Sequence, residues 1–166
     1  MAELTPLERL QPALLDRLTD DAPAERAESR EQRVLSLQRL RAALLRDLAW
    51  LLNTGHLETT DELTDYPEAR RSVLNFGIPD LAGLTISRVD TAAIEKSVRQ
   101  AILSFEPRIA AQTLQVTLQG DADGGRTALT FRIEGELWAK PTAQALYLKT
   151  EVDLETGNVT VSEGRR

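Results

Sequence analysis

The sequence predicts an α+β fold in which helices pack on one face of a small, mostly antiparallel sheet of about four strands. Up to about residue 105, apolar side chains recur every three or four positions, which is the period of a buried helix face. From Leu114 onward they alternate with polar side chains, which is the period of a half-buried strand. Helices followed by a run of antiparallel strands are typical of an α+β domain.

Composition narrows the class of protein. The chain has 166 residues, of which 42% are apolar and 28% charged, a balance typical of one soluble globular domain. Its net charge of −6 argues against nucleic acid as a partner, because such binding depends on cationic side chains. The chain has no cysteine and a single histidine, His56, so we expect no metal site and no cofactor. It has neither a signal-peptide pattern nor an apolar run of the ~20 residues that cross a bilayer, which predicts a cytoplasmic protein without direct membrane insertion.

Residues 1–28 are predicted to form an N-terminal amphipathic peptide and a linker, and residues 29–166 to form the folded domain. The peptide carries leucines at helical spacing, interrupted by Pro12, and the polar stretch DDAPAERAE at 20–28 reads as the linker. A helix folded back on its own domain and a peptide that docks on a partner show the same pattern, so both remain open. The leucines are Leu4, Leu7, Leu10, Leu14, Leu15 and Leu18.

A long helix is predicted from Ser29, which forms a capping-box pattern with Gln32, to Gly55, which ends it. The arginines of its polar face could meet an acidic partner, but a solvated helix face is the simpler interpretation. The apolar face consists of Val34, Leu37, Leu40, Leu44, Leu48, Leu51 and Leu52. The polar face includes Arg30, Arg33, Arg39, Arg41, Arg46 and Asp47.

A short helix is predicted within TDYPEARRSVLNFGIPD, with Pro67 at its first position and Glu68 complementing the helix dipole. We expect it to end at Gly77 in a Schellman cap, with Ile78 folding back towards Val73. Such a cap would fix the direction in which the chain leaves the helix.

A further helix is predicted to begin at Asp90 or Thr91 and to end before Pro107, because a residue that precedes proline is disfavoured in a helix. The turn GDADGG at 120–125 separates the first two strands as a hairpin. The buried helix face consists of Ile94, Val98, Ala101, Ile102 and Phe105. The strands are marked by Leu114, Val116 and Leu118, by Leu129, Phe131, Ile133 and Leu137, by Leu146, Leu148 and Val152, and by Val159 and Val161.

Motifs for catalysis are missing or incomplete. The chain has no phosphate-binding glycine loop, and DADGG fails as a calcium loop because Arg126 and Arg132 replace the glycine and the closing glutamate. A lysozyme-type acid could be offered at Glu106. However, Arg108 lies two residues away, and a nearby guanidinium lowers the pKa of a carboxyl group, whereas a general acid needs a raised one.

Glu106 raises a question of its own, because an exposed carboxylate at a helix C-terminus is unfavourable by a few tenths to ~1 kcal/mol. Arg108, backbone N–H groups or a partner protein could compensate for it. An internal Glu106–Arg108 ion pair would join the helix to the first strand, whereas a rigid charged corner would be presented to a partner. The sequence leaves both open.

Several motifs in one order carry a family resemblance. They are LLDRLTDD at 14–21, LLNT at 51–54, YPEARRSVLNFGIPDLAG at 66–83, FEPRI at 105–109 and FRIEGEL at 131–137. Together they make the chain resemble the TssE family, the baseplate subunits of bacterial type VI secretion systems. That group is related to a contractile-phage baseplate wedge protein whose family was historically labelled lysozyme-like.

The resemblance implies a non-enzymatic structural subunit in a cytoplasmic baseplate docked at the inner membrane. It implies the wedge subunits TssF and TssG as partners, with TssK as a further one, and a sheet on which sheath subunits TssB and TssC assemble by strand exchange. By position, Glu106, Pro107 and Arg108 would contact the wedge core or hold the corner that does so. Asn75, Gly77, Pro79 and Asp80 would shape the adjoining loop. The alternative is a peptidoglycan hydrolase of the muramidase type.

The sheet itself is expected to offer edges to which another chain can add a strand. The family resemblance, rather than the residues themselves, favours the last two strands, at 145–153 and 158–162, as a docking edge. Their polar outer positions, Lys149 and Glu151 among them, would also suit an edge that is protected from casual pairing.

Overall fold

The computed structural model describes residues 13–19, except the side chain of Arg17, and residues 37–82, 90–119, 128–137 and 144–164. The predicted capping box at Ser29, the linker at 20–28 and the GDADGG turn lie outside the described residues, and so does most of the predicted N-terminal peptide. The division at residue 28 therefore stays a prediction. In the described ranges, no helix has the length and apolar character needed to cross a membrane.

In the part of the chain that the structure describes, four α-helices precede the strands: α1 at Leu14–Leu18, α2 described from Leu37 to Leu52, α3 at Pro67–Arg71 and α4 at Thr91–Phe105. Two 3-10 turns, Leu57–Thr59 and Val73–Asn75, flank α3. The predicted start of α4 is confirmed, since the Asp90 side chain accepts a hydrogen bond of 3.1 Å from the Ala93 backbone N–H. Pro67 occupies the start of α3, where its missing N–H costs no helical hydrogen bond.

The four strands form one antiparallel meander in the order β1 (Gln115–Gln119), β2 (Ala128–Leu137), β3 (Gln144–Asp153) and β4 (Val159–Glu163). The edges are therefore β1 and β4. The expectation that both final strands form an edge is wrong for β3, because it pairs with β2 on one side and with β4 on the other.

One face of the sheet is buried beneath α2 and α4, as predicted for an α+β fold with helices on a single face. Alternate residues of β2 and β3 are buried while those between them are more exposed, which is the period-2 pattern of a sheet with one solvated face. Side chains that are almost completely buried include Leu44, Leu48, Leu51, Ile102, Phe131, Ile133, Leu137, Leu148 and Val152.

The predicted Schellman cap at Gly77 is wrong. Helix α3 ends at Arg71, because the Ser72 hydroxyl donates to the Ala69 carbonyl at 2.9 Å and accepts from the Leu74 N–H at 3.2 Å, which starts a new turn. Val73 is 80% exposed, so Ile78 does not pack on it.

Instead, Ile78 forms a short parallel bridge with Gly55 after α2. The Ile78 N–H donates to the Thr54 carbonyl at 2.9 Å, and the His56 N–H donates to the Ile78 carbonyl at 3.1 Å. Gly77 approaches that backbone so closely that a Cβ atom would lie 2.2 Å from the Thr54 oxygen, and its φ of +128° disfavours any other residue. The glycine is thus required by close packing of two loops.

Candidate partner-binding site

The carboxylate of Glu106 is satisfied within the corner that follows α4. Glu106 caps the helix and is only 4% exposed. Its Oε1 accepts hydrogen bonds from the Arg108 backbone N–H at 3.1 Å and from Arg108 Nε at 2.7 Å, and its Oε2 is bound by Arg108 Nη2. The guanidinium compensates a carboxylate that would otherwise oppose the helix dipole. Pro107 lies between the two ionic residues and is exposed.

The ion pair continues across three helices. Arg108 Nη2 also donates to Asp47 Oδ2 of α2 at 2.6 Å, Asp47 Oδ1 accepts from Arg46 Nε at 2.8 Å, and Arg46 Nη1 donates to Asp16 Oδ1 of α1 at 2.7 Å. We call Glu106, Arg108, Asp47, Arg46 and Asp16 the ion-pair network. The network links the C-terminal end of α4 to α2 through Arg108 and Asp47, and it links α1 to α2 through Asp16 and Arg46.

Electrostatics keep both arginines charged. Burial by itself would lower the pKa of Arg108, but the hydrogen bonds and charges of Glu106 and Asp47 outweigh it and raise the pKa above its ordinary value. The pKa of Arg46 is raised as well, because Asp16 and Asp47 outweigh its desolvation. Within the range of pH in which proteins are handled, the two cations of the network do not titrate.

A groove of about 530 Å³ opens beside this network. Phe76 and Phe105 meet edge to face at 5.2 Å between ring centroids, and both line the groove. Trp50 of α2 is 53% exposed and lies 5.3 Å from the Arg46 guanidinium, in cation–π geometry. The remaining lining residues are Ala13, Leu15, Asp47, Leu48, Leu51, Glu106, Pro107 and Arg108.

The loop residues predicted to shape the site divide into two groups. Asn75 is 8% exposed, accepts from the Glu58 N–H at 2.9 Å and donates to the Arg70 carbonyl at 3.1 Å. Together with Gly77 it fixes the backbone on both sides of Phe76, the residue of this loop that enters the groove.

Pro79 and Asp80 follow a different path. Asp80 accepts a hydrogen bond of 2.9 Å from the Ala82 N–H and approaches the turn at Gly157, and neither Pro79 nor Asp80 is among the groove-lining residues. The structure thus brings Glu106, Pro107 and Arg108 together with Phe76, and leaves Pro79 and Asp80 apart. A contact of any of these residues with a partner stays a prediction.

The sequence did not lead us to assign Asp47, Arg46, Asp16 and Trp50 to the site. The interpretation of the arginine-rich face of α2 as merely solvated is wrong for Arg46, which pairs with two carboxylates. A signal was present: Arg46 and Trp50 are four residues apart, so they share one side of the helix, and a large aromatic on a polar side is unusual.

The two edges of the sheet differ in how their backbone groups are used. On β1, Glu95 Oε1 of α4 accepts from the Leu118 N–H at 2.6 Å, and just before the strand Arg99 Nε donates to the Leu114 carbonyl at 3.2 Å. Side chains of α4 therefore bond backbone groups on either side of Val116, and a further strand added there would have to displace them.

On β4, hydrogen-bonded pairs with β3 are formed by Asn158 with Asp153 at one end and by Gly164 with Tyr147 at the other. Because such pairs alternate along an antiparallel ladder, the backbone groups of Val159, Val161 and Glu163 point away from β3. In the described part of the chain, no residue bonds the outward groups of Val161 and Glu163.

The geometry of the carboxylates does not suit glycoside cleavage. Asp47 and Glu106 do approach each other, but both bind the same nitrogen, Arg108 Nη2. The guanidinium thus lies between the two acids, where a glycosidic oxygen would have to enter. Within the ranges that the structure describes, no group of three or more acidic or histidine side chains could hold a metal ion.

The fold and the site define a structural domain: a meander sheet under two helices, with an ion-paired corner, an aromatic groove and one open edge. The family model of the baseplate wedge protein gp25 matches residues 38–142, which is more than half of the chain. The chain therefore belongs to the baseplate wedge protein gp25 family, the family to which TssE belongs, and the resemblance is confirmed. This is a structural family of baseplates. Comparisons with curated proteins and with solved structures gave no significant match.

Proposed function

We propose that this chain is a non-enzymatic subunit of a type VI secretion baseplate, a TssE-type protein that docks on TssF and TssG and starts the TssB–TssC sheath at the β4 edge. The baseplate family supports the structural role. In this proposal the protein works in the cytoplasm, in a baseplate that docks at the inner membrane and also includes TssK.

The asymmetry of the two sheet edges carries the sheath part of the proposal. On the β1 side, Glu95 and Arg99 bond backbone groups on either side of Val116, so an added strand would meet side chains of α4 there. On β4, Asn53 bonds the outward groups of Val159, but the described residues leave the next two outward positions, Val161 and Glu163, available. Unpaired backbone groups on an edge strand are a template for a strand of another chain. A sheath subunit would therefore pair with β4.

Val161→Pro tests the sheath role with little damage to the fold. The N–H of Val161 points away from β3, so proline removes a donor needed by an added strand and spares the β3–β4 ladder. Val161→Ala is the matched control, because it removes the side chain and keeps the N–H. We expect Val161→Pro to abolish TssB–TssC sheath growth on baseplates while Val161→Ala supports it. Normal growth on the proline variant would refute the β4 platform.

The groove beside the ion-pair network supports the wedge part of the proposal. It combines half-exposed aromatic rings with a corner that ion pairs hold rigid, and aromatic anchors beside a preorganised backbone are typical of protein–protein hot spots. Trp50 is the most exposed of its aromatic residues, at 53%.

Trp50→Ala tests the wedge role, because so exposed a side chain contributes little to folding. We expect capture of co-expressed TssF and TssG to fall at least tenfold with less than about 1 kcal/mol lost in stability. Tyr66→Ala is the control, since Tyr66 is 64% exposed and lies outside the groove. If both variants capture the wedge like the unmodified chain, the groove is not the docking site.

A further inference from the structure

The first outward-facing position of the β4 edge is occupied by a side chain. Asn53, the residue that follows α2, donates from Nδ2 to the Val159 carbonyl at 2.8 Å and accepts at Oδ1 from the Val159 N–H at 2.8 Å. A residue of a neighbouring strand forms the same two bonds in a hydrogen-bonded antiparallel pair. The amide of Asn53 therefore takes the place of one residue of a fifth strand.

The position of Asn53 is firmly held. Its Nδ2 also donates to the Ala49 carbonyl at 2.7 Å, so all hydrogen-bonding groups of the amide that face the protein are used. Thr54 holds the same turn, since its hydroxyl donates to the Trp50 carbonyl at 2.7 Å. Asn53 and Thr54 belong to the LLNT stretch, whose polar half the sequence left unexplained.

We propose that Asn53 sets the register in which a partner strand adds to β4. This inference rests on the proposed function at the same edge. An incoming strand breaks no bond from the described residues at the outward groups of Val161 and Glu163, but at Val159 it must break both bonds to Asn53. Registers of a strand differ in steps of two residues, because the outward groups repeat every second residue. Blocking Val159 thus removes the registers that extend towards the β3–β4 turn.

The chemistry of the edge also describes the occupant, which is an extended segment of another polypeptide. Val161 is half-buried on the core face, so the residue beside it should be apolar. Glu163 on the same face is exposed, so a basic residue two positions further along the partner strand complements it. A second copy of this chain is disfavoured as the occupant, because both copies carry a net charge of −6 and repel each other.

Disulfide mapping tests the proposal, because the chain has no cysteine of its own. Ser162→Cys is introduced on the solvent face of β4, and single cysteines are scanned along the terminal segments of co-expressed TssB and TssC. Side chains that face each other on paired strands lie close enough to form a disulfide. In each register, the cysteine at position 162 therefore cross-links to one particular position of the partner strand. We expect one position in the Asn53 protein and a second, two residues away, in Asn53→Ala. Thr54→Val, which removes a hydrogen bond from the same turn without touching β4, should keep the single position.

A direct readout of the blocking group accompanies the map. We expect hydrogen exchange at the Val159 amide to accelerate about tenfold in Asn53→Ala, because the amide loses the acceptor it has among the described residues. Asn53→Asp is the second variant if the alanine variant is poorly folded, since aspartate still accepts from Val159 but cannot donate to its carbonyl. It should keep the amide protected, and because only one of the two bonds then opposes an added strand, it should admit the second register to a smaller extent than Asn53→Ala.

The outcomes separate the two ideas. If the unmodified chain, Asn53→Ala and Asn53→Asp all cross-link at the same single partner position, Asn53 does not set the register, although strand addition still stands. If Asn53→Ala does not fold, the same result for Asn53→Asp alone leads to the same conclusion. If no partner cysteine reacts in any background, strand addition at β4 fails and the proposed function with it. Cross-links between two copies of this chain would overturn the choice of occupant.

Discussion

Glu106→Gln is the perturbation whose cost the structure defines best. The substitution keeps the shape of the side chain but places a neutral amide against Arg108 Nη2, so one donor faces another in a residue that is 4% exposed. Removing one partner of a buried ion pair costs roughly 3–5 kcal/mol, because the other charge remains desolvated. Arg108 keeps its bond to Asp47, and its side chain is 21% exposed, so water relieves part of the loss.

We therefore expect a loss at the lower end of that range, about 3 kcal/mol in the free energy of unfolding. For a chain of this size, each kcal/mol shifts the melting temperature by about 2–4 °C, so the midpoint should fall by about 6–12 °C. Urea unfolding followed by circular dichroism measures the free energy, and thermal melts check it. Glu136→Gln is the control, since the same chemical change at an exposed residue should cost less than about 0.5 kcal/mol.

The combined variant Glu106→Leu with Arg108→Met completes the test. Replacing both charges by apolar groups of similar size leaves no uncompensated charge in the pair, so it should be more stable than Glu106→Gln alone. A loss of less than about 1 kcal/mol in Glu106→Gln, or a double variant that is less stable than Glu106→Gln, would show that Glu106 does not compensate a buried charge. Capture of TssF and TssG at a temperature where Glu106→Gln is folded then separates the two roles that the sequence left open. If capture survives, Glu106 serves only its internal ion pair, and if capture is lost, the corner is also part of the interface.

Three further predictions concern other parts of the molecule. Gly77→Ala should destabilise the chain by more than about 3 kcal/mol in urea unfolding, because its Cβ would lie 2.2 Å from the Thr54 oxygen, whereas Gly55→Ala, with nothing within 4 Å, should cost far less. The pKa of Asp153 is lowered from its ordinary value of 3.8, because the backbone N–H groups of Glu155 and Thr156 donate hydrogen bonds to its carboxylate. The contribution of Asp153 to stability is therefore present above pH 3.8 and is lost as the pH falls through the lower pKa of the folded state. Melting temperatures of Asp153→Asn should therefore lie below those of the unmodified chain at pH 7 and approach them as the pH falls through the lowered pKa of Asp153. A difference that stays constant with pH would contradict this. Purified protein should release no fragments from peptidoglycan, since Arg108 lies between Asp47 and Glu106, and turnover that disappears in Glu106→Gln would establish the muramidase instead.

Local patterns accounted for much of the fold. Helix α4 was predictable at both ends, because the Asp90 cap and Pro107 act within a few residues of themselves. The Glu106–Arg108 pair was predictable as one of two alternatives, since its partners are two residues apart. The ending of α3 was missed, because two local signals competed and the hydroxyl of Ser72 acted before Gly77 was reached.

The rest of the site depended on residues that are distant in sequence. Arg108 and Asp47 are separated by 61 residues, Arg46 and Asp16 by 30, and Asn53 and Val159 by 106. No period or cap encodes such a pairing, because many arginines and carboxylates of the chain could have been partners. An exposed Trp50 on α2 was the one local sign that this side of the helix has a use.

The sequence by itself determined the α+β class, most element positions and the charged corner, since side-chain period, caps and proline act over a few neighbouring residues. It also carried the motifs of the baseplate wedge protein gp25 family. Only the tertiary structure decided that Glu106 is buried, that α4 covers β1, and that Asn53 bonds the first outward position of β4. Those features depend on how helices lie against the sheet, and that arrangement results from packing of the whole core and cannot be read from any one segment.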